Sequence, residues 1–395
     1  MSLLRIHHPC RVGSDSIKSP SRRRRGCLSV GCGYDTSGQQ GRFYRLPLAA
    51  DLAATKRAEE ELARRQAAHS GAISLVPDEV ISLNELRRIS VPIYGMERWG
   101  DLFSPRQSLA LSTLARLVAE AGQHIVASEE PRFTVAVQTL LALTMGRQAD
   151  ATSSLARWHV TRELITGTFG RQALGMVWDF SEVSVLSEST GGFPGAVEWV
   201  TKVIEANVAV AAEGDGHAQI ASATAHLLPD GAAQMLATDP PYYDAVPYAY
   251  LSDFFYVWLR RSLGNQHTDL FSGTAVPKDA EIVVDRPHSL SQSNKDVAFY
   301  ERELCRAFAE GRRVVANNGI GVIVFASKTT ASWEAILKAV IDAGWIITGS
   351  WPIDTEMDTR VSAQGQARLA SSVHIVCRPR NPPLPPFEKG GLGGI

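Results

Sequence analysis

The sequence predicts an α/β fold preceded by a mostly helical region, and three observations carry that expectation. First, a continuous apolar run at 320–326 and a second strand reading at 345–351 flank the helical stretch 333–343, which is the strand, helix, strand succession of an α/β layer. Second, the short run 234–238 stops at Asp239-Pro240-Pro241, where two prolines remove two amide donors and fix φ. It reads as a buried strand ending abruptly in a loop. Third, 105–121 and 132–148 repeat apolar residues three and four apart, the spacing of helices with one buried face.

Composition sets the outer limits. The 395 residues, 45% of them hydrophobic, suffice for two domains or for one large α/β domain with an appendage. A formal net charge of -1 does not announce a polyanionic partner, so any attraction to nucleic acid has to come from local basic patches. Five cysteines, Cys10, Cys27, Cys32, Cys305 and Cys377, are odd in number and scattered, which argues against a disulfide framework and for a reducing cytoplasm. No apolar run reaches membrane-spanning length.

Residues 1–40 combine Ser, Gly and Arg with the run Ser21-Arg22-Arg23-Arg24-Arg25 and predict a disordered basic arm. Cys27 and Cys32, with Cys10, His7 and His8 nearby, lack the two close pairs that a structural zinc ion needs, so no metal site is expected. The region 41–200 is then mostly helical. A helix over 48–68 is rich in Ala, Glu, Lys and Arg, 73–93 reads as a linker with a strand or two, and Ser104 caps the helix that Pro105 opens. Leu109, Leu114, Leu117 and Val118, then Val135, Leu140, Leu141 and Leu143, are the expected core positions of the next two helices. In 157–180 the aromatics Trp158, Phe169, Trp178 and Phe180 alternate with Arg157, Arg162 and Arg171, which either fills a core or forms a stacking groove for a single strand. A helix follows over 195–205.

The α/β part occupies 201–380. After the strand at 234–238 comes a helix over 251–263 with an aromatic face of Phe254, Phe255, Tyr256 and Trp258, read as core. The polar segment 264–294 is long enough to suggest a mobile functional loop. A helix over 301–313 leads into the apolar succession described first, and 372–377 forms a last strand. Residues 381–395, with paired prolines and glycines, predict a low-complexity tail.

In an open parallel sheet, ligands bind beyond the carboxyl ends of the strands, which places Asp239 at the edge of a crevice. A residue before proline is held extended and Pro-Pro is stiff, so the carbonyls of Asp239 and Pro240 point in fixed directions. Tyr242 adds a flat face. A carboxylate, a rigid carbonyl and a ring suit one task, gripping an exocyclic amino group of a planar base by its two hydrogens while stacking on the ring. Such an amine is a poor nucleophile because its lone pair is conjugated. Two acceptors on its hydrogens favour pyramidal nitrogen and free that pair for in-line attack on a methyl donor.

Asp239-Pro240-Pro241-Tyr242 resembles the D-P-P-Y motif of amino-methylating DNA methyltransferases. The flanks extend the likeness: Tyr243-Asp244, the run from Tyr248-Ala249-Tyr250 to Trp258-Leu259-Arg260-Arg261, the segment 168–180 and Trp351-Pro352-Ile353-Asp354-Thr355-Glu356-Met357 are similar to the long adenine-specific DNA methylases that carry a zinc-ribbon insert. The likeness runs over about 41–380, and Cys27-x4-Cys32 resembles the end of that insert. It implies a partial class I, Rossmann-like methyltransferase sheet whose last strand inserts antiparallel, S-adenosyl-L-methionine as donor, and adenine in DNA, ahead of cytosine, as target.

By the same resemblance Asp239, Pro240, Pro241 and Tyr242 form the catalytic set. Tyr242 and Tyr243 are expected to contact the substrate, as are Lys328, placed at the crevice edge just past the 320–326 strand, and Glu356, in the loop after 345–351 that resembles the family's T-E-M segment and binds either target or donor. The family's F-x-G-x-G donor motif is absent from this sequence. Donor-binding residues therefore stay unassigned, and the resemblance implies the C-terminal part of a longer methylase, with an N-terminal fragment or companion subunit as partner besides DNA. The rival expectation is a catalytically inactive nucleic-acid-binding remnant or defence-system component that keeps the base pocket and lacks the donor site.

Overall fold

The computed structural model describes residues 2–7, 27–32, 43–126, 130–159, 161, 164–188, 191–209, 216–243, 246–285, 295–327, 329–353 and 372–380. Two units share the chain in alternation. Met1–Gly214, Pro247–Asp279 and His288–Ser291 make the first, while Asp215–Val246, Ala280–Pro287 and Gln292–Ile395 make the second.

Helices build most of the first unit: α1 (Ala49–Ala68), α2 (Pro105–Val126), α3 (Pro131–Ala151), α4 (Phe193–Ala209) and α5 (Tyr248–Leu263). Its strands are β1 (Ser2–His7), β2 (Cys27–Cys32), β3 (Phe43–Arg45), β4 (Arg157–His159), β5 (Leu164–Thr166) and β6 (Ser181–Glu182). They pair antiparallel, four in the order β3-β2-β1-β6 and β4 with β5 as a hairpin. Two of these strands fall within 1–40 and correct the expectation of an arm without regular structure; the side chains of Cys27 and Cys32 lie outside the described residues. The strands expected in 73–93 are replaced by the short 3-10 turns Leu83–Glu85 and Val91–Tyr94, with single bridges from Val80 to Arg98 and from Ile89 to Leu174.

At the start of α2, Ser104 Oγ accepts from the Gln107 N–H at 3.3 Å and Gln107 Oε1 accepts from the Ser104 N–H at 2.7 Å. The reciprocal pair satisfies two backbone donors that the first turn leaves open. Helix α3 buries a different face from the expected one. Leu143 is 52% exposed, whereas Gln138, Ala142, Met145, Gln148 and Ala149 are buried. The Gln138 amide donates to the carbonyls of Val118 and Ala119, and that of Gln148 to Thr152 Oγ1 and the Gly191 carbonyl. Small and hydrogen-bonded side chains thus form the contact that leucines were expected to make.

The core of the first unit is an aromatic node of Trp99, Phe103, Phe169, Phe254, Phe255 and Trp258, with ring centroids 5.1 to 6.4 Å apart. The aromatic face of α5 is core, and Phe169 joins it. The described part of 264–294 in this unit is tied down, contrary to the expectation of a mobile loop. Tyr256 donates to the Gly273 carbonyl at 2.9 Å, the Asp253 carboxylate accepts from the Val276 N–H at 2.8 Å, and Lys278 Nζ lies 2.8 Å from Asp253. Burial pushes the Asp253 carboxyl up from its ordinary range, and the Lys278 bond and charge pull it back.

The second unit is a mixed sheet of β7 (Ala233–Thr238), β8 (Val315–Phe325), β9 (Trp345–Ile353) and β10 (Ser372–Pro379), with α6 (Val297–Val314) and α7 (Thr330–Asp342). The order is β7-β8-β10-β9. Strands β7 and β8 run parallel, and β10 lies between β8 and β9, antiparallel to both. One face buries Ile323, Phe325, Trp345 and Ile375 against Tyr300, Leu304 and Phe308 of α6 and Ile336 and Val340 of α7. The other face carries Met235, Val322, Val376 and Trp351 by register, and Met235 and Trp351 are 53% and 65% exposed. Strand β7 is therefore an edge strand with Gln234, Met235 and Ala237 exposed, not the buried strand its apolar composition suggested.

Trp345 explains one glycine. Its indole N–H donates to the Phe308 carbonyl at 2.9 Å, and a Cβ on Gly321 would stand 2.9 Å from the indole Cζ3. The ring is fully buried and cannot swing aside, so Gly321→Ala is expected to cost about 1–3 kcal/mol by overpacking. A fall in the urea midpoint at unchanged slope would register it. Among the described residues no helix is long and apolar enough to cross a membrane.

Candidate functional site

The site lies in the second unit, at the carboxyl end of β7. Asp239 follows the last strand residue and is exposed, and among the described residues no cation or hydrogen-bond donor reaches its carboxylate. Pro240 is buried and Pro241 half-buried. With two successive imino nitrogens, the loop has no amide N–H between Asp239 and Tyr242. Its shape comes from elsewhere.

The Tyr300 hydroxyl, from the first turn of α6, donates to the Pro241 carbonyl at 2.8 Å and accepts from the Tyr243 N–H at 3.2 Å. The Tyr243 N–H also reaches back to the Pro241 carbonyl at 3.1 Å, and the Tyr243 carbonyl accepts from the Val284 N–H at 3.0 Å. Tyr243 has φ 51, in the left-handed region that costs a residue with a Cβ about 1–2 kcal/mol. The bonds on both sides of it hold that conformation. By contrast, no described residue donates to the Pro240 carbonyl.

Rings support the loop from below. Tyr242 stands edge-on to Phe325 at the end of β8, centroids 5.2 Å apart and planes at 77°, and Phe325 stands edge-on to Trp333 of α7 at 5.0 Å. Trp333 is fixed by its indole N–H, which donates to the Ser327 carbonyl at 3.1 Å. Tyr243 stands edge-on to Tyr300 at 5.3 Å and 72°. The strap that supplies Val284 is itself anchored, because the Asp285 N–H donates to the Lys295 carbonyl at 2.9 Å and the two buried side chains face each other at 3.6 Å.

Of the residues expected at the site, Asp239, Pro240, Pro241, Tyr242 and Tyr243 stand together on this one turn, while Lys328 and Glu356 lie outside the described residues. Sequence reasoning missed Tyr300, Val284 and the Asp285–Lys295 pair. Tyr300 carried no local signal, because with Leu304 and Phe308 it makes an i, i+4, i+8 stripe that reads as helix core.

Burial pushes the Tyr300 phenol up to about 12 from its ordinary 10, against the hydrogen bond from Tyr243. The folded state thus holds this proton more tightly than the unfolded chain does. The stability it contributes is fully present below pH 10 and is lost as pH rises through 12. Titration of phenolate absorbance is expected to show a late-ionising fraction of the nine tyrosines, to which Tyr256, also pushed up by burial, contributes, and Tyr300→Phe to shrink that fraction.

The donor-binding glycine turn that the resemblance implies has no counterpart among the described residues of this unit. The strand-to-helix turn after β8 runs Ala326-Ser327-Lys328-Thr329, capped by Thr329 Oγ1 on the Ser332 N–H, and contains no glycine. Compared with known families, curated proteins and solved structures, the chain matches no family model, no curated protein and no solved structure.

Proposed function

We propose that the second unit is the amine-binding half of a class I, Rossmann-like methyltransferase that acts on the exocyclic amino group of adenine in DNA with S-adenosyl-L-methionine as donor. The observation that carries this reading is a pair of acceptors at the end of a parallel strand to which no described residue donates, the exposed Asp239 carboxylate and the carbonyl of the buried Pro240. The strand order β7-β8-β10-β9, with β10 antiparallel, agrees with it.

Asp239 and the Pro240 carbonyl each accept one hydrogen of the amine, which draws the nitrogen toward a pyramidal shape and exposes its lone pair. Pro241 stiffens the turn, and Tyr242 offers its ring to the base, with Tyr243, Lys328 and Glu356 as further contacts to the target. No step through the donor is assigned to this chain. A companion polypeptide carrying a glycine-rich donor site would supply it, and the open outer edge of β7 is where such a chain would extend the sheet.

The test is transfer of labelled methyl groups to mixed-sequence DNA by the purified chain, alone and with such a companion. Transfer in neither case rejects the proposal. The second reading, an inactive nucleic-acid-binding remnant, is favoured by the missing glycine turn. Assaying DNA binding and labelled-methyl transfer together, with the companion present, separates the two, since binding with transfer belongs to the enzyme and binding without transfer to the remnant.

A further inference from the structure

We propose that Tyr300 is the positioning residue of the Asp239 loop: its phenol occupies the Pro241 carbonyl, so that an incoming amine meets the Asp239 carboxylate and the Pro240 carbonyl as its acceptors. This deepens the methyltransferase reading and rests on it.

Three carbonyls follow one another at this turn, those of Asp239, Pro240 and Pro241, and the two prolines supply no N–H to engage any of them. An amine with two hydrogens discriminates poorly among carbonyls a few ångströms apart. The Pro241 carbonyl is doubly engaged, by the Tyr300 hydroxyl at 2.8 Å and by the Tyr243 N–H at 3.1 Å, which fills both lone pairs. The Tyr300 oxygen uses its donor on Pro241 and an acceptor site on the Tyr243 N–H, so a single atom fixes both ends of the turn.

The anchor is rigid. Tyr300 is fully buried on α6, and Leu304 and Phe308 of the same helix face are packed in the same core. Phenylalanine would fill the same space and keep the edge-on contact with Tyr243. The hydroxyl therefore has a task that packing does not explain. Without it the Pro241 carbonyl keeps only the Tyr243 N–H and has a lone pair left to compete for the amine, and the left-handed Tyr243 loses one of its three backbone bonds.

The experiment compares the wild-type full-length chain, with its companion where transfer needs one, with Tyr300→Phe and Leu304→Ala. Leu304 is a buried neighbour that makes no bond to the loop and serves as the control for destabilisation alone. Steady-state methylation of adenine-containing duplex DNA and hydrogen exchange at the Tyr243 amide are the readouts. Tyr300→Phe is expected to lower kcat by about 10- to 100-fold with the KM for DNA nearly unchanged, and to speed exchange at Tyr243, while Leu304→Ala lowers the melting temperature without lowering kcat.

An active wild type whose Tyr300→Phe variant keeps its kcat, or loses only KM, overturns the positioning role and leaves the methyltransferase reading standing. Equal loss of kcat in Leu304→Ala overturns it as well. A wild type that transfers no methyl group under any condition overturns the reading and this inference together.

Discussion

Asp239→Ala is expected to lower methyl transfer by about 10²- to 10³-fold while leaving stability within about 0.5 kcal/mol, a separation that few positions in the chain allow. The side chain is exposed, joins no ion pair among the described residues and stands just past an edge strand, so the fold loses nothing with it. The loss falls on the amine, which keeps one acceptor, the Pro240 carbonyl, and no anion beside its developing charge. Asp239→Asn, which retains an acceptor oxygen and drops the charge, is expected to fall between alanine and wild type. Single-turnover rates at saturating DNA, alongside thermal melting, measure both halves of the statement. An alanine variant that transfers as well as wild type would end the case for this carboxylate.

The largest stability effect is expected from Glu79→Ala in the first unit. The Glu79 carboxylate accepts from Arg261 Nη1 and Nη2 at 2.8 and 3.0 Å and from Arg260 Nη1 at 3.3 Å. Arg261 donates further to the Ser74 carbonyl and hydroxyl and to the Val257 carbonyl, and its side chain is 5% exposed, that of Glu79 7%. Removing the anion leaves the buried Arg261 guanidinium with only the more distant Asp78 carboxylate, 3.8 Å away, and takes a partner from the partly exposed Arg260; breaking a buried pair from one side costs about 3–5 kcal/mol. Glu79→Gln, which keeps one acceptor, is expected to lose less. Urea denaturation followed by tryptophan fluorescence, sensitive here to Trp99 and Trp258 in the nearby core, is the measurement. A shift below about 1 kcal/mol would place this cluster with surface pairs in energetic weight.

Much of the fold was legible because local rules and tertiary structure agreed. Ser104-Pro105 opened α2 with the cap its sequence announced, and β8, α7, β9 and β10 fell where apolar runs and helical spacing put them. The end of β7 was announced by Pro240 and Pro241, while the shape of the turn is held by Tyr300 and Val284. The failures share one cause, which is that burial is decided by neighbours the sequence does not display. Leucine at position 143 is exposed while Gln138 and Gln148 are buried, and backbone carbonyls of α2 and of the turn at Gly191 take up the amide N–H groups of the two glutamines. Arg260 and Arg261 gave no sign of their partner, because Glu79, which accepts from both, lies about 180 residues earlier. Tyr300 is the same lesson at the site, since its bond to Pro241 spans 59 residues.

The interleaving of the two units bears on how the protein is made. The aromatic node needs Phe254 and Trp258 to join Trp99 and Phe103, so the first unit stays unfinished on the ribosome until translation has passed α5. By then β7 and the Asp239 turn have already emerged, ahead of the β8 partner and the Tyr300 anchor that give them their shape. For the time taken to synthesise the remaining strands, a nascent segment with an unpaired backbone and a ring-bearing turn waits in the open. Chaperone occupancy on arrested chains is accordingly expected to peak after residue 243 and to fall once β8 clears the exit tunnel.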